Sequence, residues 1–85
     1  MKEIYIGNKD EEKYVSAAIF DLSRDDEIKI LARGKTYIGK SINIARKLIR
    51  KLDLNYEIKI FDREYDDKEL NKKRIVSEIE IKLFK

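Results

Sequence analysis

Eight consecutive residues, Gly34-Lys35-Thr36-Tyr37-Ile38-Gly39-Lys40-Ser41, fit the phosphate-loop pattern G-x-x-x-x-G-K-[ST]. In such a loop, backbone N–H groups cradle a nucleotide's phosphates, the lysine reaches the outer ones and the serine helps hold magnesium. The partner acid at the end of another strand would be Asp62, after Ile58-Lys59-Ile60-Phe61. Three features weigh against nucleotide hydrolysis. The chain is short for such an enzyme, only about four strands are available, and Lys59 interrupts what should be an apolar central strand. The plainer reading is a basic, glycine-assisted turn from strand to helix, in a protein that is not an enzyme and needs no cofactor.

The same residues make better sense as a polyanion site. Gly34 lets the backbone turn sharply, with Arg33 and Lys35 on either side. A helix beginning there offers free N–H groups that favour phosphate, and Lys40 adds charge on its first turn. Lys9, in the loop Gly7-Asn8-Lys9 ahead of another helix, would emerge on the same edge of a parallel sheet. The net charge is only +3, but it is unevenly placed. Between Arg33 and Leu52 stand Arg33, Lys35, Lys40, Arg46, Lys47, Arg50 and Lys51, without one acid among them. A block of that kind is the footprint of a phosphate-backbone partner.

Composition removes other chemistries. With no cysteine and no histidine there is no disulfide framework, no thiolate and no usual zinc ligand, and no metal site is expected. No apolar run is long enough for a membrane span and no signal peptide opens the chain, so a soluble, cytoplasmic protein without a membrane partner is expected. The 44% of charged residues are balanced by 42% hydrophobic ones in periodic blocks, which argues for a folded domain. Heavy Lys and Glu use with no Cys and one Met suits a hyperthermophile surface. The length of 85 residues makes one domain, 1–85.

The elements that must position these groups are legible as periods. Lys2–Ile6 alternates and reads as a strand ended by Gly7. Asn8 and Glu11 form a possible capping box, and Val15, Ala18, Ile19 and Leu22 mark an amphipathic helix. Glu27–Ala32 is a second strand. Ile38, Ile42, Ala45, Ile49 and Leu52 then form the stripe of a longer helix, with Lys40, Lys47 and Lys51 on its opposite face. Tyr56, Ile58 and Ile60 alternate as a third strand, and Ser77, Ile79, Ile81 and Leu83 as a fourth. The polar stretch from Asp62 to Arg74 joins them as a hairpin with a long exposed arm. The order β-α-β-α-β-β implies a two-layer α+β sandwich, two helices on one face of four strands. Strands followed by helices are expected to lie parallel to their neighbours.

Four segments in order resemble the Alba family of archaeal DNA- and RNA-binding proteins. Ile6-Gly7-Asn8-Lys9 with Tyr14-Val15 is similar to that family's opening strand, Gly-Lys-Lys-Pro loop and Asn-Tyr-Val helix. Ile30-Leu31-Ala32-Arg33-Gly34-Lys35 resembles its Ala-Arg-Gly-basic turn, and Ile38-Gly39-Lys40 its Ile-x-Lys helix opening. Val76-Ser77-Glu78-Ile79-Glu80-Ile81 resembles its closing Val-Ser-Thr-Ile-Glu-Ile strand. The resemblance implies the fold shared with the C-terminal domain of translation initiation factor three. It also implies a chromosome-associated dimer that lays a basic body along a duplex, its hairpin arms reaching toward the minor groove. Residues expected to bind nucleic acid are Asn8, Lys9, Tyr14, Arg33, Gly34, Lys35 and Lys40, with Lys72, Lys73 and Arg74 on the arm.

The chain departs from the family at several points. Asn8 replaces a lysine that the family can acetylate, and Asp10 replaces the proline. Glu11 and Glu12 add negative charge, and one extra residue lies around Thr36-Tyr37. Acids balance the bases along the arm, and Leu52 stands where an aromatic commonly supports packing between dimers. These changes raise the standing of an RNA client, and of a heterodimer with a more basic paralogue beside the homodimer. A phosphate-loop enzyme and a protein-interaction subunit are the alternatives.

Overall fold

The computed structural model describes residues Met1–Lys85. The chain runs β1 (Lys2–Tyr5), α1 (Glu11–Leu22), β2 (Glu27–Arg33), α2 (Lys35–Leu52), β3 (Asn55–Asp67) and β4 (Lys72–Phe84). The α+β order expected from the periods is the observed one. The four strands form one sheet in the order β1-β2-β4-β3. β1 and β2 are parallel, as expected for strands joined through a helix. The expectation fails for β2 and β3: β4 lies between them, antiparallel to both. Pairing with β4 lets the hairpin form locally while still placing the apolar residues of β4 in the centre of the sheet.

Alternation decides which side is buried. Ile28, Ile30 and Ala32 of β2 and Ile79, Ile81 and Leu83 of β4 point to the helices and form the core with Val15, Ala18, Leu22, Ile44, Ala45 and Leu48. The period expected for α1 is the one that packs. For α2 the expected stripe is displaced. Ser41, Ile44, Ala45 and Leu48 are buried, Ile38, Ile42 and Ile49 lie at the edge of the core, and Leu52 is exposed. The reason is that the helix turns its inner face to β2 and β4 and leaves the side toward β3 open. The helices cover β1, β2 and β4, and leave β3 bare. Tyr56, Ile58 and Ile60 are register partners of Leu83, Ile81 and Ile79, so they face the helix side. Even so, they are 57%, 47% and 64% exposed.

Two helix starts differ from expectation. α1 begins after Asp10, whose side chain makes no capping bond, so Asn8 and Glu11 form no capping box. Asn8 lies too far ahead of the first helical turn to reach its N–H groups. α2 begins at Lys35, directly after Gly34, which has φ 85° and no side chain to cap with. That left-handed backbone is open to glycine at little cost, and it turns the chain from β2 into α2 without a loop.

Beyond Arg33, which pairs with Glu78, β2 ends, while β3 and β4 run on together to Asp67 and Lys72. The arm is therefore a continuation of the sheet as a two-stranded ribbon, and it stretches the molecule to 45 Å along its long axis.

Candidate nucleic-acid interface

β1 and β2 are parallel, so the loop after β1 and the turn after β2 emerge at the same end of the sheet. The arm leaves from that end too. Lys9, Arg33, Lys35 and the arm are thus brought together, as their spacing suggested.

The β1–α1 loop is held from inside. Tyr14 is buried, and its hydroxyl accepts the Gly7 N–H at 2.8 Å and the Lys9 N–H at 3.4 Å. A side-chain carbon on Gly7 would lie 3.3 Å from that hydroxyl, so any larger residue there would push on the Tyr14 hydroxyl that holds the loop. Lys40 reaches the loop from α2. Its Nζ donates to the Gly7 carbonyl at 2.7 Å and to the Lys9 carbonyl, and its ammonium lies 5.2 Å from the centre of the Tyr14 ring. Tyr14 and Lys40 therefore shape the loop that carries Lys9, with little of Tyr14 left at the surface. Asn8 and Lys9 are exposed at the loop's tip.

Arg33 and Lys35 flank Gly34 as expected. The Gly34 N–H donates to the Ser77 carbonyl at 2.8 Å, and the Gly34 carbonyl accepts the Ile38 N–H at 2.9 Å. The turn is tied to β4 while the first N–H groups of α2 lie ahead of any intrahelical acceptor. Lys35 is exposed. Arg33 is engaged: its Nε donates to Glu78 Oε1 at 2.9 Å, and its guanidinium lies 4.8 Å from the centre of the Tyr65 ring.

Glu78 is the hub of a cluster that sequence reasoning missed. Tyr65 donates its hydroxyl to Glu78 Oε1 at 2.7 Å, and Arg63 Nε stands 3.3 Å from Glu78 Oε2. The Tyr65 hydrogen bond holds the Glu78 carboxyl below its ordinary range, desolvation opposes it, and the charges of Arg63 and Arg33 assist. The same bond raises the Tyr65 phenol, with desolvation helping. The signal was present in the alternation Phe61, Arg63, Tyr65 and in a glutamate where the resemblance has threonine.

The rest of the basic block is partly spent. Lys47 bridges to Glu11 at 3.4 Å and Glu12 at 2.9 Å, joining the two helices. Its hydrogen bond and charge hold the Glu12 carboxyl below its usual range. The acids that the sequence put near the site are therefore partly compensated, and Lys47 is no longer a free charge. On the arm, Lys72 and Lys73 lie opposite Asp67 and Asp66, whereas Arg74 lies opposite Tyr65. Alternation puts Lys72 and Arg74 on the same face as Arg33, and Lys73 on the other with Asp62, Glu64 and Asp66.

The octapeptide that matched a phosphate loop is helical from Lys35 onward. A helix commits the N–H groups from Ile38 onward to its own ladder and leaves only those of its first turn free, so no loop wraps a nucleotide's phosphates. Ser41 is fully buried with its hydroxyl donating to the Ile38 carbonyl at 2.7 Å, and Lys40 points to the β1–α1 loop. The pattern is present without the loop that gives it meaning. No group of acids or other ligands is placed to hold a metal, and no helix is long and apolar enough to cross a membrane.

The fold and the site together define a small arm-bearing α+β domain whose cationic turns gather at one end of the sheet. No family model matches the chain. It is 34% identical over 91 aligned positions to the DNA/RNA-binding protein Alba of Nanoarchaeum equitans (strain Kin4-M), spanning 100% of this chain and 99% of that protein. Among solved structures it is similar to Alba from Thermoplasma volcanium, with a TM-score of 0.84 and 31% identity over 99% of this chain and 100% of that one. ALBA1 from Trypanosoma brucei shares the fold, with a TM-score of 0.74 at 16% identity over 99% of this chain and 68% of that one. The chain belongs to the Alba family.

Proposed function

We propose that this protein binds DNA or RNA through the phosphate backbone, with weak sequence specificity, and does so as a dimer associated with chromosomal DNA or with RNA. The observation that carries the reading is the convergence of Lys9, Arg33, Lys35 and the arm at one end of the sheet, beside the uncapped start of α2. Exposed cations next to free helix N–H groups suit phosphates, and phosphate contacts carry no direct sequence information. The Nanoarchaeum relative is a DNA/RNA-binding protein, which supports the same reading. No step of the reading calls for catalysis or a cofactor.

The dimer is supported by a groove of about 420 Å³ between α2 and β3, whose apolar lining includes Ile42, Ala45, Ile49, Tyr56 and Ile58. Exposed β-branched residues on a long strand are a liability in a lone monomer, and a second copy of this chain would bury them. The groove carries Arg46 and Arg50 along its side, while Asp62 and Glu64 continue the same face of β3. One patch with both charges can complement itself, which favours a homodimer over a paralogue partner.

Binding to duplex DNA and to structured RNA as a function of salt tests the proposal. With Lys9, Arg33 and Lys35 acting in each copy, the slope of log K against log salt should be about −4 to −6. A slope near zero with binding intact would exclude a phosphate-driven mechanism.

A further inference from the structure

We infer that the face of the sheet not covered by the helices holds, at the root of the arm, a site for a short unpaired stretch of nucleic acid. This rests on the nucleic-acid binding proposed above and gives it a second surface. A cleft of about 630 Å³ opens there, a size within the usual range for small-molecule sites. Tyr5, 71% exposed, stands on the edge strand at one side of it, and Phe61 on β3 at the other. Three strand steps separate β1 from β3, about 14 Å at the usual spacing. The two rings therefore bracket the cleft without touching.

Between them, two guanidiniums are already organised. Glu78 takes Arg33 on one oxygen and Arg63 on the other. Arg33 also lies against the Tyr65 ring, and Arg63 lies 5.4 Å from the centre of the Phe61 ring. Both are engaged through Nε, and their side chains remain 60% and 55% exposed. Their terminal nitrogens are left for an anion. Glu3 and Glu80 also line the cleft, with Glu80 bridged to Lys29 at 3.0 Å, so the positive charge is local to the two guanidiniums that share Glu78. Much of the rotamer freedom such side chains usually lose on binding is gone beforehand. A phosphate on Arg33 and Arg63 would set the neighbouring bases against Phe61 and Tyr5. Aromatic rings and guanidinium planes are what unpaired bases stack on, whereas a duplex keeps its base faces stacked on one another. The ligand class that fits is single-stranded RNA or DNA, and the paired form should gain nothing from the rings.

The test compares a fluorescein-labelled oligouridine with a blunt RNA duplex of the same length, by anisotropy, on the whole protein. The variants are Tyr5→Leu, Phe61→Leu and the pair, which keep an apolar side chain and remove the ring. Each ring lost should weaken oligouridine binding roughly 5- to 150-fold, and duplex binding should stay within about twofold. Arg63→Ala should weaken the oligouridine more than the duplex. Equal losses on both ligands, or oligouridine binding untouched by the paired variant, would overturn the inference. Duplex binding that persists in that case leaves the proposed function standing, whereas a protein that binds neither ligand sinks both.

Discussion

Arg33 and Glu78 face each other across the β2–β4 ladder, with Arg33 Nε 2.9 Å from Glu78 Oε1. The contact joins the last residue of β2 to the root of the arm. Tyr65 and Arg63 close on the same carboxylate, so the arm's first turn of ribbon is fastened to the body by side chains as well as by the ladder. A charged residue with these partners does two things at once. It fixes the direction of the arm, and it sets which edges of two arginines stay available.

The fastening should be sensitive to acid. Glu78 titrates below its ordinary range in the folded protein, chiefly through the Tyr65 hydrogen bond. Its contribution to stability is therefore present above the unfolded value and lost as pH falls through the folded one. Glu78→Gln should melt below the wild type near neutral pH, and the difference should shrink on acidification. Tyr65 gives the opposite sign, because its phenol is raised. Its contribution is full below the unfolded phenol value and lost as pH rises through the folded one. Melting curves across the pH range check both, and a gap between wild type and Glu78→Gln that stays constant down to about pH 3 would refute the linkage.

The bare strand predicts an association defect that spares the fold. Ile58 is half exposed on β3 and lines the groove beside α2. Ile58→Glu should leave helix and sheet content unchanged and produce a monomer at micromolar concentration in sedimentation equilibrium. An interface of about 1,200 Å² or more would be typical for a stable pair. A wild-type protein that is itself monomeric at physiological salt would remove the basis for the dimer.

Much of this was written in the sequence, at the level where local periods rule. The strand alternation of Ile28-Lys29-Ile30 and the helix from Ile38 to Leu52 depend on neighbours a few residues apart, and both survive in the structure, although the helix buries Ser41, Ile44, Ala45 and Leu48 and not the stripe its apolar period marked. What the sequence hid depends on register. Nothing local says that Glu78 will stand opposite both Arg33 and Phe61, or that Lys72 and Lys73 will each lie opposite an acid. The seven-residue basic block looked uniform in sequence. In three dimensions Lys47 is drawn to α1 and Lys40 to the loop after β1, because helix faces and not sequence position decide their partners. The helix start at Lys35 likewise depends on Gly34 taking a left-handed conformation, which the phosphate-loop pattern does not encode.

Tyr14 offers a test of how the loop is shaped. Its hydroxyl is the acceptor for the Gly7 and Lys9 N–H groups, and the ring stays buried either way. Tyr14→Phe should keep the packing and cost about 1 kcal/mol in stability, the usual net worth of one such bond. Hydrogen exchange at the Gly7 amide should speed up, while amides in β2 and β4 keep their protection. Nucleic-acid affinity should fall modestly, since Lys9 would sit on a looser loop. An unchanged Gly7 exchange rate would show that the loop is held by something else.

Lys35 and Lys40 separate charge from architecture. Lys35 is exposed on the first turn of α2, so Lys35→Ala should change stability by no more than about 0.5 kcal/mol. In a dimer it should also lower the magnitude of the salt slope by about two, one contact per copy. Lys40 is different, because its ammonium is already bound to two carbonyls of the β1–α1 loop. Lys40→Ala should destabilise the protein by about 1.5–3 kcal/mol, the range for hydrogen bonds to charged groups. It should weaken binding through the displaced loop, with a smaller change in slope than Lys35→Ala. Ser41→Ala should leave binding unaltered, since the hydroxyl is buried on the Ile38 carbonyl. A phosphate-loop enzyme predicts the reverse order: Lys40→Ala and Ser41→Ala would abolish magnesium-dependent ATP binding and Lys35→Ala would not. If Lys40→Ala instead drops the slope by two while the melting temperature holds, then Lys40 spends its charge on phosphate and the loop stands without it.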